Sequence, residues 1–114
     1  MNERGRLAEA MAASYLERQG LRIVERNWQC RRGEIDLIAR EGETLVFVEV
    51  RARASARFGG AAASISQAKR AKLLIAAQTY LSSLRVTPAC RFDALCIEGT
   101  TVNWLKNCLD ATEG

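Results

Sequence analysis

Residues 33–53 read GEIDLIAREGETLVFVEVRAR, and how this stretch folds decides the rest. Two runs, 34–40 and 44–51, flank a turn near Gly42 and predict a β-hairpin. In the first, Ile35, Leu37 and Ala39 alternate with Asp36, Ile38 and Arg40. In the second, Val46, Val48 and Val50 alternate with Leu45, Phe47, Glu49 and Arg51. A strand apolar on both faces is a central strand, covered on each side. Asp36 and Glu49 are then carboxylates in strands expected to be buried, and burying a charge is costly unless something pairs with it.

The turn sets the register. A two-residue loop of Gly42 and Glu43 lets glycine supply the positive φ of the first loop position. Glu41 then faces Thr44, Asp36 faces Glu49, and Glu34 faces Arg51. Opposed side chains in a hairpin have β-carbons about 4.5–5.5 Å apart, and like charges there are destabilising. Two such carboxylates make sense with a divalent cation between them, or with one of them protonated. A loop one residue longer would send the two acids to opposite faces.

The chain has 114 residues, which fits a single domain over 1–114 with a modest core. Hydrophobic residues make up 48%, an ordinary fraction for a globular protein. No apolar run approaches the roughly 20 residues of a membrane span. No apolar segment follows MNERGR to form a secretory signal, so a cytoplasmic protein with no membrane partner is expected. Cys30, Cys90, Cys96 and Cys108 show no CxxC spacing, which favours reduced thiols over a disulfide framework or a zinc site. The sequence has no histidine, which excludes histidine general bases, nucleophile activators and metal ligands. A bound metal would be a hard, oxygen-preferring ion such as Mg²⁺ or Mn²⁺.

Net charge is +4. Arg26, Arg31, Arg32, Arg51, Arg53, Arg57, Lys69, Arg70 and Lys72 gather in the middle of the chain. That distribution suits nucleic acid as a partner, and it equally suits a solvated basic face.

Residues 3–19 predict a helix closed by Gly20. Its apolar stripe is Leu7, Ala8, Met11, Ala12, Tyr15 and Leu16, with Glu9 on the border. Residues 21–28 predict a first strand and 27–32 a polar connection. Residues 54–63 are small and glycine-bearing, which predicts a loop beside the acidic pair. Ser64 or Ser66 would cap a second helix reaching about Leu84. Its stripe is Leu73, Ala76, Ala77, Tyr80, Leu81 and Leu84. Lys69 lies one turn before Leu73 on that stripe and points toward the sheet, while Arg70 and Lys72 point outward. Beyond Pro88, strands 91–98 and 101–106 pair across Gly99 and Thr100. The path from 44–51 through a helix to 91–98 is long enough for a parallel crossover. The order α-β-β-β-α-β-β gives an α/β fold, a mixed sheet of five strands with a helix on each face.

Glu49 and Arg51 are i and i+2 on one strand and share a face. Asp36, Glu49 and a strand-end carbonyl can offer oxygens to Mg²⁺ with positions left for water. Such an ion acidifies a bound water and stabilises charge building on a phosphate. A cation beside it orients the water or holds phosphate oxygens. Phosphodiester hydrolysis uses this combination of parts.

With these residues the chain resembles the PD-(D/E)xK nuclease superfamily, which includes restriction enzymes and Holliday-junction resolvases. More closely it resembles the YraN-like uncharacterised bacterial family. The matching segments are GEIDLIA at 33–39, VFVEVRAR at 46–53, FGGAAASIS at 58–66, Lys69, and RFDAL at 91–95. The resemblance implies a restriction endonuclease-like fold and a Mg²⁺- or Mn²⁺-dependent endonuclease acting on DNA, branched DNA included. It also raises a homodimer as an expectation, although no stretch marks a dimer surface. By the same resemblance Asp36 and Glu49 are the metal-binding acids, Glu9 is the helix-one glutamate, and the Val50 carbonyl is a further ligand. Arg51 departs from the superfamily, which usually has lysine there. A guanidinium does not give up its proton and cannot be a general base, but it can hold a phosphate or the attacking water. Lys69 is the substitute lysine. The cations expected on nucleic acid are Arg31, Arg32, Arg53, Arg57, Lys69, Arg70 and Lys72. Asp93 recurs in the family pattern with a structural or a functional role. Two alternatives stand beside the nuclease: a non-catalytic nucleic-acid-binding module, which Arg51 favours, and a structural or interaction protein whose acidic pair only fixes register.

Overall fold

The structure is a computed structural model describing residues 3–53 and 67–108, the side chains of Glu3, Arg4 and Arg53 excepted. The elements run α1 (Glu3–Arg18), β1 (Arg22–Cys30), β2 (Gly33–Glu41), β3 (Thr44–Arg53), α2 (Gln67–Ser82), β4 (Cys90–Glu98) and β5 (Thr101–Leu105). The five strands form one sheet in the order β1-β2-β3-β4-β5. All neighbours are antiparallel except β3 and β4, which are parallel. The mixed α/β architecture and the element order are those expected from the sequence. The predicted caps Ser64 and Ser66, the loop at 54–63, and Arg57 lie outside the described residues.

The central hairpin has the expected register. Glu41 pairs with Thr44 and Leu37 with Val48, and Gly42 has φ 61°. Strand β3 is covered on both faces. Val46 and Val48 pack with Leu37, Ala39 and the α1 residues Ala12 and Leu16. Leu45 and Phe47 pack with Ile38 and the α2 residues Leu73, Ala76 and Tyr80. The α2 stripe is therefore as read from the sequence, with Leu81 and Leu84 packed against its margin.

The stripe of α1 is rotated from the expected one. Ala8, Ala12, Ala13 and Leu16 are buried, whereas Leu7 is 61% and Met11 39% exposed. Alanines let the helix lie close on the sheet, and turning the larger Leu7 and Met11 inward would hold it away. The rotation carries Glu9 from the border to the inside, where it is 9% exposed. The helix ends as expected at Gly20, φ 97°. Its closing bonds run from the Leu21 N–H to the Leu16 carbonyl and from the Gly20 N–H to the Glu17 carbonyl, both 3.0 Å. This is the Schellman arrangement, with Leu21 and Leu16 in apolar contact.

Two differences lie in β1 and β2. The expected connection at 27–32 is mostly strand: β1 runs to Cys30, which pairs with Gly33 across a turn of only Arg31 and Arg32. The expected alternation of β2 also breaks. Ile35 joins Ile38 in the cluster under α2, while Leu37 and Ala39 face α1. The break sits where Asn27 interrupts β1 with φ 51°, between the pairs Arg26–Leu37 and Trp28–Ile35. A left-handed residue inside a strand turns the chain over locally, here without a change of register, since the register shift of β1 lies between Ile23 and Glu25. Asp36 is the β2 residue at that point.

Gly33 fixes where α2 lies. A β-carbon there would meet the Lys72 carbonyl oxygen at 2.9 Å, so the helix backbone rests directly on the β1–β2 turn. That contact seats the first turn of α2, with Lys69, over the end of the sheet.

Candidate active site

The site forms where β2 and β3 part. Their pairing ends at Leu37 and Val48. One step further, the Val50 N–H donates to Oδ2 of Asp36 at 2.8 Å, so a side chain takes the place of the next backbone rung. The Asp36 and Glu49 carboxyls hydrogen-bond each other. The two acids are thus brought together as the register predicts, and they share a proton. Burial raises Asp36 above its ordinary range, against the opposing Val50 hydrogen bond. Burial, and then the charge of Asp36, push Glu49 up to about 8. A hydrogen bond to the ionised form favours that form, so Asp36 carries the charge and Glu49 the proton.

Two cations reach Glu49. Lys69 Nζ lies 3.4 Å and Arg51 Nη1 3.8 Å from Glu49 Oε1. Arg51 comes from the same face of β3 and Lys69 from the start of α2. Glu9 approaches from α1. Burial, then the charge of Asp36, raise its pKa, and a hydrogen bond to the Asn27 side chain lowers it. Glu9, Asp36, Glu49, Val50, Arg51 and Lys69 all line one cavity of about 310 Å³. Among the described residues, no three acids approach closely enough to hold one ion together. The closest set is the Asp36–Glu49 pair, with Glu9 on the wall beside it.

Of the expected nucleic-acid contacts, Arg32, Lys69 and Lys72 line a second, adjoining cavity. Lys72 is exposed, as expected, and also contributes to this wall beside Lys69. Arg31 is exposed at the turn, and Arg70 lines neither cavity. The Arg53 side chain and Arg57 lie outside the described residues. The sequence reading missed Asn27, Gln29 and Glu34. Asparagine tolerates the left-handed region better than most non-glycine residues, so Asn27 within RNWQC is compatible with the positive φ found there. Gln29 and Glu34 became visible only once β1 was known to extend to Cys30.

Asp93 belongs to a different structure. It is 1% exposed and accepts Arg91 Nε at 3.1 Å, Trp104 Nε1 at 2.8 Å and the Asn107 N–H at 2.8 Å. Arg91 also donates to Glu41 Oε1 at 2.7 Å. The network ties β4 to the β2–β3 turn and to the end of β5, and Asp93 lines neither cavity.

The donor set fits a hard divalent cation. Asp36 and Glu49 present carboxylate oxygens at an open cavity, and a proton is what balances their charges when no cation does. With Lys69 and Arg51 beside them, the pair can hold a metal and a phosphate at one place.

Residues 8–97 match the uncharacterised protein family UPF0102. A UPF0102 protein of Dechloromonas aromatica is 52% identical over 110 residues, covering 96% of this chain and 91% of its own. One of Herminiimonas arsenicoxydans is 49% identical over 107 residues, covering 94% and 86%. One of Ectopseudomonas mendocina is 48% identical over 115 residues, covering 96% and 97%.

Proposed function

We propose that this chain, which belongs to the uncharacterised protein family UPF0102, is a divalent-metal-dependent endonuclease that hydrolyses phosphodiester bonds in DNA. One observation carries the reading. Two carboxyls, Glu49 buried and Asp36 half-buried, with Glu49 held up to about 8, meet at an open strand end with cations 3.4 and 3.8 Å away. An acid pair so placed does not help the fold by itself, and strongly shifted groups in a cleft favour a functional site.

Asp36 and Glu49 would hold Mg²⁺ or Mn²⁺. Such an ion, when bound, supplies charge stabilisation at the phosphate and a more acidic water. The Val50 N–H donates to Asp36 and favours its ionised form against the effect of burial. Lys69 and Arg51 place two positive charges where phosphate oxygens would lie. Because a guanidinium keeps its proton, Arg51 positions charge, and any proton transfer by a cation falls to Lys69. Glu9, fixed by Asn27, adds negative charge on the α1 side.

The test is cleavage of linear, flapped and four-way DNA with Mg²⁺ and with Mn²⁺. Wild-type protein should cut at least one of them, and Asp36→Asn and Glu49→Gln should not. Cleavage that survives in both variants overturns the reading. Arg51 favours a second reading, a non-catalytic nucleic-acid-binding module, which shows salt-sensitive binding and no cleavage with any metal.

A further inference from the structure

The acidic cavity shares a wall with a second cavity of about 370 Å³. Arg32 from the β1–β2 turn and Lys69 and Lys72 from α2 bring three cations to it, and Cys30 and Leu73 give it an apolar side. Gln29, Glu34 and Lys69 line both cavities. They form one cleft, acidic at one end and basic at the other, with Lys69 at the junction.

The dimensions and chemistry select what fits. The volume is near the lower end for a small-molecule site, about 300–1,000 Å³. That is the scale of one nucleotide unit and far short of a stacked, paired duplex. Three cations suit a phosphate. The apolar side suits a sugar or the face of a base. Among the described residues no aromatic side chain lines the cavity, so none of them offers the stacking platform that single-strand binders commonly use. Gln29 Nε2 donates to Glu34 Oε2 at 3.3 Å, and this polar pair stands between the two ends of the cleft.

We propose that the second cavity is a subsite for one unpaired nucleotide, the neighbour of the phosphate held at Asp36 and Glu49. The substrate is then a single strand, or a flap or branch that offers one, rather than continuous duplex. This rests on the reading of the acidic pair as the reacting-phosphate site. A strand lying along the cleft puts one phosphate at the pair and the next among Arg32, Lys69 and Lys72. A base in a duplex is paired and stacked and must leave the stack to enter such a cavity. Among the described lining residues, only Gln29 and Glu34 add polar contacts to those of the three cations, so recognition follows the shape of the DNA more than its sequence.

The test measures binding without metal, by fluorescence anisotropy of the full chain. The probes are three labelled DNAs of matched sequence: a single strand, a blunt duplex, and a duplex carrying a single-stranded flap. Single strand and flap should bind several-fold tighter than duplex. In the double variant Arg32→Ala/Lys72→Ala, with folding checked by circular dichroism, that preference should vanish. Its salt slope on single strand should fall by up to about 0.7, the value for one phosphate contact. Duplex binding as tight as flap, an unchanged preference in the variant, or no binding of any probe each overturns the inference. Cleavage is read separately with Mg²⁺. Preference without cleavage removes the nuclease reading and leaves the subsite; cleavage without preference does the reverse.

Discussion

Asp36 Oδ2 accepts the Val50 N–H at 2.8 Å, and this single bond makes two neighbouring carboxyls unequal. Asp36 is the ionised partner, and Glu49, pushed up to about 8, keeps the proton at neutral pH. An unfolded glutamate releases its proton above its ordinary 4.5. Between those values the folded chain binds one proton more than the unfolded chain, so stability falls as pH rises. The slope approaches about 1.4 kcal/mol per pH unit for one proton, giving a few kcal/mol in all. Urea unfolding of metal-free protein from pH about 5 to about 8 should show this decline. Glu49→Gln should flatten it, and an identical decline in the variant would remove Glu49 as its source.

The same proton competes with a metal. Mn²⁺ affinity should therefore rise by up to about tenfold per pH unit below about 8 and level off above it. Calorimetry in buffers of different ionisation enthalpy should detect about one proton released per ion bound. Asp36→Asn should abolish the binding. A pH-independent affinity would contradict the shared-proton description.

Lys69 has opposite effects on metal and on phosphate. Its ammonium lies 3.4 Å from Glu49 Oε1, where it repels a cation and attracts a phosphate oxygen. Lys69→Met should bind Mn²⁺ at least as tightly as wild type while losing about a hundredfold or more in cleavage rate. Arg51→Met, which removes a charge 3.8 Å away, should show the same pattern. Metal binding that weakens together with cleavage would mean that Lys69 acts by holding the site together.

The hairpin was legible because two strong signals agreed. Glycine at the first loop position fixed the register, and the doubly apolar runs around Val46 and Val48 required cover on both faces. From those two constraints the meeting of Asp36 and Glu49 followed. The α1 stripe differs from the expected one because hydrophobicity alone favours Leu7 and Met11, whereas close approach to the sheet favours alanine. Glu9 lies inside rather than at the border for the same reason. The face change at Asp36 was hidden because Ile35 and Leu37 are equally apolar, and no alternation pattern records which face each takes. The turn at Arg31 and Arg32 has neither glycine nor asparagine to announce it. Only the antiparallel pairing of β1 with β2 reveals it, and that pairing is tertiary information.

Gly33 can be tested as the seat of α2. In Gly33→Ala the new methyl meets the Lys72 carbonyl oxygen at 2.9 Å, and a backbone oxygen cannot swing aside as a side chain can. Overpacking of this kind costs about 1–3 kcal/mol. Thermal unfolding should register that loss. If α2 shifts to relieve the contact, Lys69 moves from Glu49 and cleavage should fall by more than the stability loss accounts for. Unchanged stability would mean that helix and turn separate easily.

Asp93 separates a structural acid from the site acids. Its carboxylate is 1% exposed and accepts from Arg91, Trp104 and the Asn107 backbone. In Asp93→Ala, Arg91 keeps only its bond to Glu41 at 2.7 Å, and the Trp104 and Asn107 donors lose their acceptor. Removing one member of a buried charged network costs about 3–5 kcal/mol. Much of that cost is the desolvated donors left behind, so Asp93→Asn, which keeps one acceptor oxygen, should lose less. Neither change touches the cavity lined by Asp36 and Glu49. At a temperature where both variants remain folded, Mn²⁺ affinity should match wild type. Loss of metal binding without loss of stability would place Asp93 with the site rather than with the scaffold. The expected result is the reverse, since its hydrogen bonds all run to β4, β5 and the turn after β5.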